Sequence, residues 1–331
     1  MLQRDFAQTG LRVSAVGLGC NNFGTRLDRD AALKVVHAAL DAGVTLFDTA
    51  DIYGNRGDSE RLLGEALGAR RKDVVLVTKF GLPMDGSGRR QGGSRRYARQ
   101  AIEASLKRLK TDRIDIYWVH HPDGVTPTEE LVRGFDDLAR AGKILYAGLS
   151  NFSAWRLARA VTLAELTRSI PIAAAQFEHS LVHREPETDL FPASHAFGLG
   201  VVTWSPLGGG MLTGKYRQGE RGRAEGFGGR VFQAENSPQR THILDTVIAT
   251  AGELGVSASQ VALAWAGTHG AVPILGPRSV EQLADNLGAL SVELSAEQLG
   301  RLDSVSSLGS ATQGRRPTRW AEDVRAGRAV A

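Results

Sequence analysis

Residues 43–54 read Gly43-Val44-Thr45-Leu46-Phe47-Asp48-Thr49-Ala50-Asp51-Ile52-Tyr53-Gly54, and the order of residue types in them sets the architecture. Ahead of the glycine, Ala31, Val35, Ala38, Ala39 and Ala42 recur at helical spacing. Gly43 stops that helix. The run 44–47 then has the length and apolar content of a buried strand, and it breaks off into Asp48, Asp51 and Tyr53. Helix, glycine, short strand and polar end together make one unit of an alternating α/β chain.

The same unit recurs in both directions. Strands are expected at 16–20, 44–47, 74–79, 114–120, 144–149, 172–176, 201–204 and 272–275, with helical spacing between them, as in Ile102, Leu106 and Leu109. Gly142 and Gly200 read as further helix stops. Eight parallel strands with crossover helices predict an α/β fold, a closed (β/α)8 TIM barrel. Ahead of it, Leu2 with Arg4 and Leu11 with Val13 flank Thr9-Gly10 as a short N-terminal β-hairpin closing the barrel bottom. The connection after strand 7 is the long one. It holds the glycines 208–210, a Gly/Arg-rich stretch at 220–230, and helices near 243–254 and 258–268, and such connections build the active face. A doubly wound nucleotide fold also alternates strands and helices, but Gly17-Leu18-Gly19 is followed by Cys20-Asn21-Asn22, without the third glycine of its phosphate turn. Residues 1–305 are expected to form one barrel domain. Residues 306–331, rich in Gly, Ser and Arg around Trp320, are expected to fold over the active site or to stay disordered.

Composition narrows the function classes. Hydrophobic content of 42% and charged content of 23% fit a globular chain, and no run of about 18 apolar residues is available to span a membrane. Residues 1–10 carry no apolar core with a cleavage site, and the lone Cys20 makes no internal disulfide. A cytoplasmic location is therefore expected. The net charge is +4. Its arginines gather at 89, 90, 95 and 96 and at 315, 316 and 319 without interleaved aromatics, which points away from nucleic acid. They read as solvated loop charge or as contacts for ligand phosphates and acidic substrates. Nothing in the chain fixes an oligomeric state.

In such a barrel the active face lies at the C-terminal strand ends. Strand two ends in Asp48 and, shortly after, Tyr53; strand three ends in Lys79, strand four in His120-His121, and strand five leads to Ser150-Asn151. Singly, each has a structural explanation: Asp48 as a helix cap, His120 as a bonded core histidine, Lys79 as a chain reaching water. Together they make an acid catalyst. A phenol with an ordinary pKa near 10 donates a proton poorly unless a cation steadies its phenolate. Lys79 can be that cation, Asp48 its counter-charge, and His120 a hydrogen-bonding group for a carbonyl. A metal on Asp48, Asp51, His120 and His121 is not expected, because neighbouring histidines on a strand point to opposite sides and Lys79 would repel the ion. No metal is read from the sequence.

These residues resemble the aldo-keto reductase family. The matching pieces are Phe47-Asp48-Thr49-Ala50 with Tyr53-Gly54, Val77-Thr78-Lys79-Phe80-Gly81, Asp115-Ile116-Tyr117-Trp118-Val119-His120 and Gly148-Leu149-Ser150-Asn151-Phe152. Downstream come Gln176, Trp204-Ser205-Pro206-Leu207, Leu212-Thr213-Gly214-Lys215-Tyr216, and Gly276-Pro277-Arg278-Ser279 leading to Gln282 and Asn286. The resemblance implies a carbonyl-reducing oxidoreductase with Asp48, Tyr53, Lys79 and His120 as its catalytic tetrad. It implies NADPH, in preference to NADH, extended across the barrel mouth. Ser150, Asn151 and Gln176 would hold the nicotinamide carboxamide and Trp204 would stack on its ring. Ser205, Leu207, Gly209 and Lys215 would follow the pyrophosphate, and Gly276, Arg278, Gln282 and Asn286 the adenosine end.

The partner implied is a small-molecule carbonyl compound. Its pocket is expected to involve Asn22, Phe23 and His121, the large loop 84–97 and residues 227–232. Polar groups such as Asn22, Asp51 and His121 lean toward sugars, small hydroxylated aldehydes or a natural-product intermediate. Two other readings stay open: a reductase of a nucleotide-linked keto-sugar, with the arginines of 89–96 meeting the diphosphate, and a non-catalytic NADPH-binding redox-sensing subunit of a potassium channel.

Overall fold

The computed structural model describes residue 1, residues 3–215 and residues 235–308. A two-stranded antiparallel hairpin, β1 (Gln3–Asp5) and β2 (Arg12–Ser14), opens the chain with Arg4 opposite Val13. Eight parallel strands follow: β3 (Gly17–Gly19), β4 (Leu46–Asp48), β5 (Val75–Phe80), β6 (Ile114–Val119), β7 (Ile144–Ser150), β8 (Ile172–Glu178), β9 (Gly200–Trp204) and β10 (Val272–Leu275). Each lies beside its sequence neighbour, and β10 pairs with both β9 and β3, so the sheet closes. The fold is a (β/α)8 barrel with an N-terminal hairpin.

The two-residue period of a strand sorts its side chains to opposite faces. Leu46, Val75, Val77, Ile116, Trp118, Ala174, Val202, Val272 and Ile274 fill the barrel, together with Phe6 and Val13 of the hairpin region. Their immediate neighbours Phe47, Leu76, Tyr117, Ala175, Val201 and Leu275 face outward into the layer shared with the helices. Continued by two residues, the inward series reaches Asp48 after Leu46, Lys79 after Val77, His120 after Trp118, Gln176 after Ala174 and Trp204 after Val202. One parity therefore packs the barrel's middle and brings its polar residues to one mouth.

The hairpin seals the other end, with Phe6 and Val13 almost fully buried and the Tyr146 hydroxyl donating to the Thr9 carbonyl at 2.6 Å. Each such apolar side chain removed from water contributes about 1.5–3 kcal/mol. This plug corrects the reading of Gly200 as a helix stop. The preceding helix, Leu190–Ala196, is followed by Gly198 at φ 63, whereas Gly200 begins β9. A Cβ on Gly200 would sit 2.4 Å from the Phe6 ring, so this glycine makes room for the plug.

The long connection from β9 to β10 carries the helices Pro238–Leu254 and Ala258–Gly267, which share an apolar cluster around Trp265 with the helix Ala296–Ser306. Among the described residues no single helix is long and apolar enough to cross a membrane. Leu2, residues 227–232 and Trp320 of the tail lie outside the described residues.

Candidate active site

The turn after β4 is fastened on several sides. Asp51 donates its backbone N–H to the Lys79 carbonyl at 3.0 Å and Thr49 donates to Val77 at 3.0 Å, so β5 carries the turn on its own end. Behind it, the Ser59 hydroxyl donates to the Cys20 carbonyl at 2.7 Å and stands 2.8 Å from Thr49 Oγ1. Beyond Tyr53 the chain passes through four left-handed residues, 54–57, before the helix continues. Asn55 and Arg56 are non-glycine residues there, a conformation that costs on the order of 1 kcal/mol or more each. A Cβ on Gly54 would lie 2.3 Å from the Phe23 carbonyl oxygen. The turn is rigid, and it holds Tyr53 over the barrel mouth.

Beneath Tyr53, Lys79 is 1% exposed. Its Nζ bonds Asp48 Oδ1, donates to the Thr49 carbonyl at 3.0 Å, and lies 5.1 Å from the centre of the Tyr53 ring. Asp48 is fully engaged, because its Oδ2 accepts from Gln176 Nε2 at 2.8 Å. Tyr53 Oη stands 3.4 Å from His120 Nε2, with the two rings edge to face at 84°. Burial works to lower the Lys79 ammonium, but Asp48 and Tyr53 override it and leave its pKa above the ordinary value. Burial raises the Tyr53 phenol, Lys79 opposing and Asp48 adding to the rise. Burial, with Lys79 and His121, holds His120 well below the ordinary histidine value. The resting arrangement is thus a neutral phenol, a charged lysine and a neutral imidazole, arranged so that a proton can leave Tyr53 toward a substrate oxygen while Lys79 stays charged beneath it.

A cavity of about 620 Å³ opens above this group. Asp48, Tyr53 and His120 line one end, and from there the wall runs through Ser150, Asn151, Gln176, Trp204, Ser205, Leu207, Gly209 and Lys215 to Gly276, Arg278, Gln282 and Asn286. Asn151 ties the wall together: its Nδ2 donates to the His120 carbonyl at 2.9 Å and to Ser150 Oγ at 3.0 Å, and its Oδ1 accepts from Trp204 Nε1 at 3.1 Å. Asn151 and Ser205 both hold left-handed φ values, 60° and 53°. At the far end Gln282 Oε1 accepts from the Arg278 N–H at 2.9 Å. An elongated channel with amides at one end and a guanidinium at the other has the donor set for an extended dinucleotide.

A model of the aldo/keto reductase family matches residues 15–307. The chain belongs to this family. An uncharacterized oxidoreductase of Bacillus subtilis, YrpG, is 39% identical over 310 residues, covering 90% of this chain and 94% of that protein. A probable voltage-gated potassium channel subunit beta of Oryza sativa subsp. japonica is 35% identical over 321 residues, covering 92% and 96%.

The substrate side of this aldo/keto reductase differs from expectation. Phe23 is fully buried in the core, and Asn22, 2% exposed, turns its Nδ2 to the Gly276 carbonyl at 3.1 Å. Neither lines the cavity, whereas Asn21 does, with Cys20 and Leu82. His121 sits on the rim, with Nδ1 3.0 Å from the Pro122 carbonyl. Asp51 points away from the mouth, where Tyr97 donates to its Oδ2 at 3.3 Å. Within the loop 84–97, Met84 and Tyr97 are buried, Arg95 pairs with Asp137, and Arg90 is 3.6 Å from Asp85. None of that loop's arginines lines the cavity. At the far end of the cavity Asp285, Ser259 and Leu263 also line the wall, three residues not expected from the sequence. Helical spacing could have found them, since Gln282, Asp285 and Asn286 share one face of Val280–Gly288, and Ser259 and Leu263 share one of Ala258–Gly267.

Proposed function

We propose that this aldo/keto reductase uses NADPH to reduce an aldehyde or ketone to an alcohol, with Tyr53 as the general acid. The observation that carries the reading is the stack of Tyr53 over the buried Lys79–Asp48 pair beside a neutral His120. When bound, NADPH supplies the two electrons and the hydrogen delivered to the carbonyl carbon. The chain's own residues handle the oxygen. His120 Nε2 and Tyr53 Oη converge on the carbonyl oxygen and orient it, and Tyr53 gives up its phenolic proton as negative charge develops there. The phenolate left behind faces the Lys79 ammonium, which is already fixed by Asp48 and the Thr49 carbonyl.

Ser150, Asn151 and Gln176 suit a carboxamide, and the ring of Trp204 suits an aromatic face. Arg278, at the far end of the channel, favours a cofactor with an extra phosphate, hence NADPH over NADH. The measurement is cofactor oxidation across aldehydes, ketones and keto-sugars at matched NADPH and NADH. Turnover of at least one carbonyl class with NADPH supports the reading. The rice relative's name supports a second reading, an NADPH-binding subunit without turnover; tight NADPH binding with no oxidation by any carbonyl would favour it.

A further inference from the structure

Away from the mouth, His179 directly follows β8, Glu187 lies in the short 3-10 helix Glu185–Thr188, and His269 follows the helix Ala258–Gly267. None of the three lines the active-site cavity. Their ligand atoms lie within 4.8 Å of one another: His179 Nε2 is 2.8 Å from Glu187 Oε1, and His269 Nε2 is 3.5 Å from the same oxygen. We propose that His179, Glu187 and His269 form a binding site for one divalent transition-metal ion of the zinc type.

The decisive feature is the His269 ring. Its Nδ1 faces two acceptors, the Trp265 carbonyl at 3.3 Å and the Thr268 hydroxyl oxygen at 3.2 Å, and that hydroxyl spends its own proton on the same carbonyl at 2.7 Å. Nδ1 therefore carries the ring proton. In the neutral ring Nε2 is then a lone pair, and it points at a carboxylate oxygen with no hydrogen between them. A cation between the three atoms turns this repulsion into coordination.

The surroundings match what a metal site needs. The His269 Nδ1–H bond to a backbone carbonyl is the second contact that orients ligating histidines. Arg184 Nη2 fixes Glu187 Oε2 at 2.7 Å, and Arg184 Nε donates to Oε1 at 2.8 Å. Arg184 Nη1 donates to the Asp303 backbone carbonyl at 3.0 Å and lies 3.3 Å from its carboxylate, which accepts from Trp265 Nε1, so the guanidinium that holds Glu187 is itself fixed in place. Tetrahedral zinc with bonds of about 2.0–2.1 Å sets its ligand atoms about 3.3 Å apart, within reach of small side-chain rotations. Binding goes with a change of His179 tautomer: the ring proton now on Nε2 is carried on Nδ1, which has no hydrogen-bond partner among the described residues, and Nε2 is left as a lone pair for the ion. Glu187 and His269 side chains are 24% and 20% exposed, which gives the ion a way in and a water for its fourth position.

The test is a cobalt(II) titration of chelator-treated, untagged full-length protein, followed by visible absorption, with bound zinc counted by elemental analysis after dialysis. One equivalent per chain with the intense bands of a tetrahedral cobalt site is expected. His269→Ala and His269→Gln should each weaken binding at least about tenfold and remove the rise in melting temperature that zinc gives the wild type, while His183→Ala binds as the wild type does. Failure of the wild-type protein to take up cobalt or zinc would overturn the proposal, and so would unchanged binding by both His269 variants.

Discussion

Gln176 on β8 donates its side-chain amide to Asp48 Oδ2 on β4 at 2.8 Å, directly across the barrel mouth. Asp48 is therefore shared: Lys79 holds one oxygen and Gln176 the other. Gln176 also lines the channel, so it connects the floor of the cavity to the charge pair beneath Tyr53. A hydrogen bond to a charged group contributes about 1.5–3 kcal/mol. Gln176→Leu should lower kcat about tenfold or more and weaken NADPH binding together, as read by steady-state kinetics and fluorescence titration. A variant losing only cofactor affinity would mean that the Asp48 contact has no part in the chemistry.

Lys79 and Asp48 are buried and depend on each other. Removing one partner of such a pair leaves an uncompensated charge and costs about 3–5 kcal/mol. Lys79→Met should therefore lower denaturant-unfolding stability by that order and abolish measurable turnover. Unchanged stability would contradict the placement of Asp48 as a charged, buried group.

Asp51 supplies a pH signature separate from catalysis. Its carboxyl is 1% exposed and is pushed up to about 8 by burial and by the neighbouring Glu60, with Arg108 and Tyr97 opposing. Between its ordinary value of 3.8 and about 8 the folded chain keeps a proton that the unfolded chain has released. Stability from this group therefore falls as pH rises through that window, by at most about 1.4 kcal/mol per pH unit. Asp51→Asn should flatten that slope and stabilise the protein at about pH 8 relative to wild type, measured by urea unfolding at several pH values. An unchanged slope would place a charged Asp51 in the folded state.

His120 is neutral at rest, its pKa held well below 6.5 by burial and by Lys79. The kcat profile should then lack a step near pH 6.5. His120→Asn should reduce kcat about tenfold or more without introducing a new ionisation. A wild-type step near pH 6.5 that disappears in the variant would mean that the imidazole is charged during turnover.

Strand parity explains why the mouth could be read from the chain. Leu46 to Asp48, Val77 to Lys79 and Trp118 to His120 each continue an inward series of period two, so apolar residues that fill the barrel also predict which polar residues face its opening. Loops have no such period. Asn22 and Phe23 lie beyond the end of β3, and only the tertiary contacts to Gly276 and the core decide that they turn inward while Asn21 lines the cavity. A glycine between a helix and a strand serves equally as a stop or as space, and at Gly200 the Phe6 ring, almost two hundred residues away in sequence, decides for space. The His179, Glu187 and His269 group is spread over ninety positions with no common spacing, and its convergence follows from packing around Trp265.

Tyr53→Phe tests the central claim most directly. The substitution removes one oxygen and leaves the ring above Lys79, so NADPH binding should stay within about twofold of wild type. Carbonyl-dependent NADPH oxidation should fall by about 10²-fold or more, the range for loss of a positioned general acid. A Tyr53→Phe variant that oxidises NADPH at the wild-type rate with the same carbonyl would contradict the account.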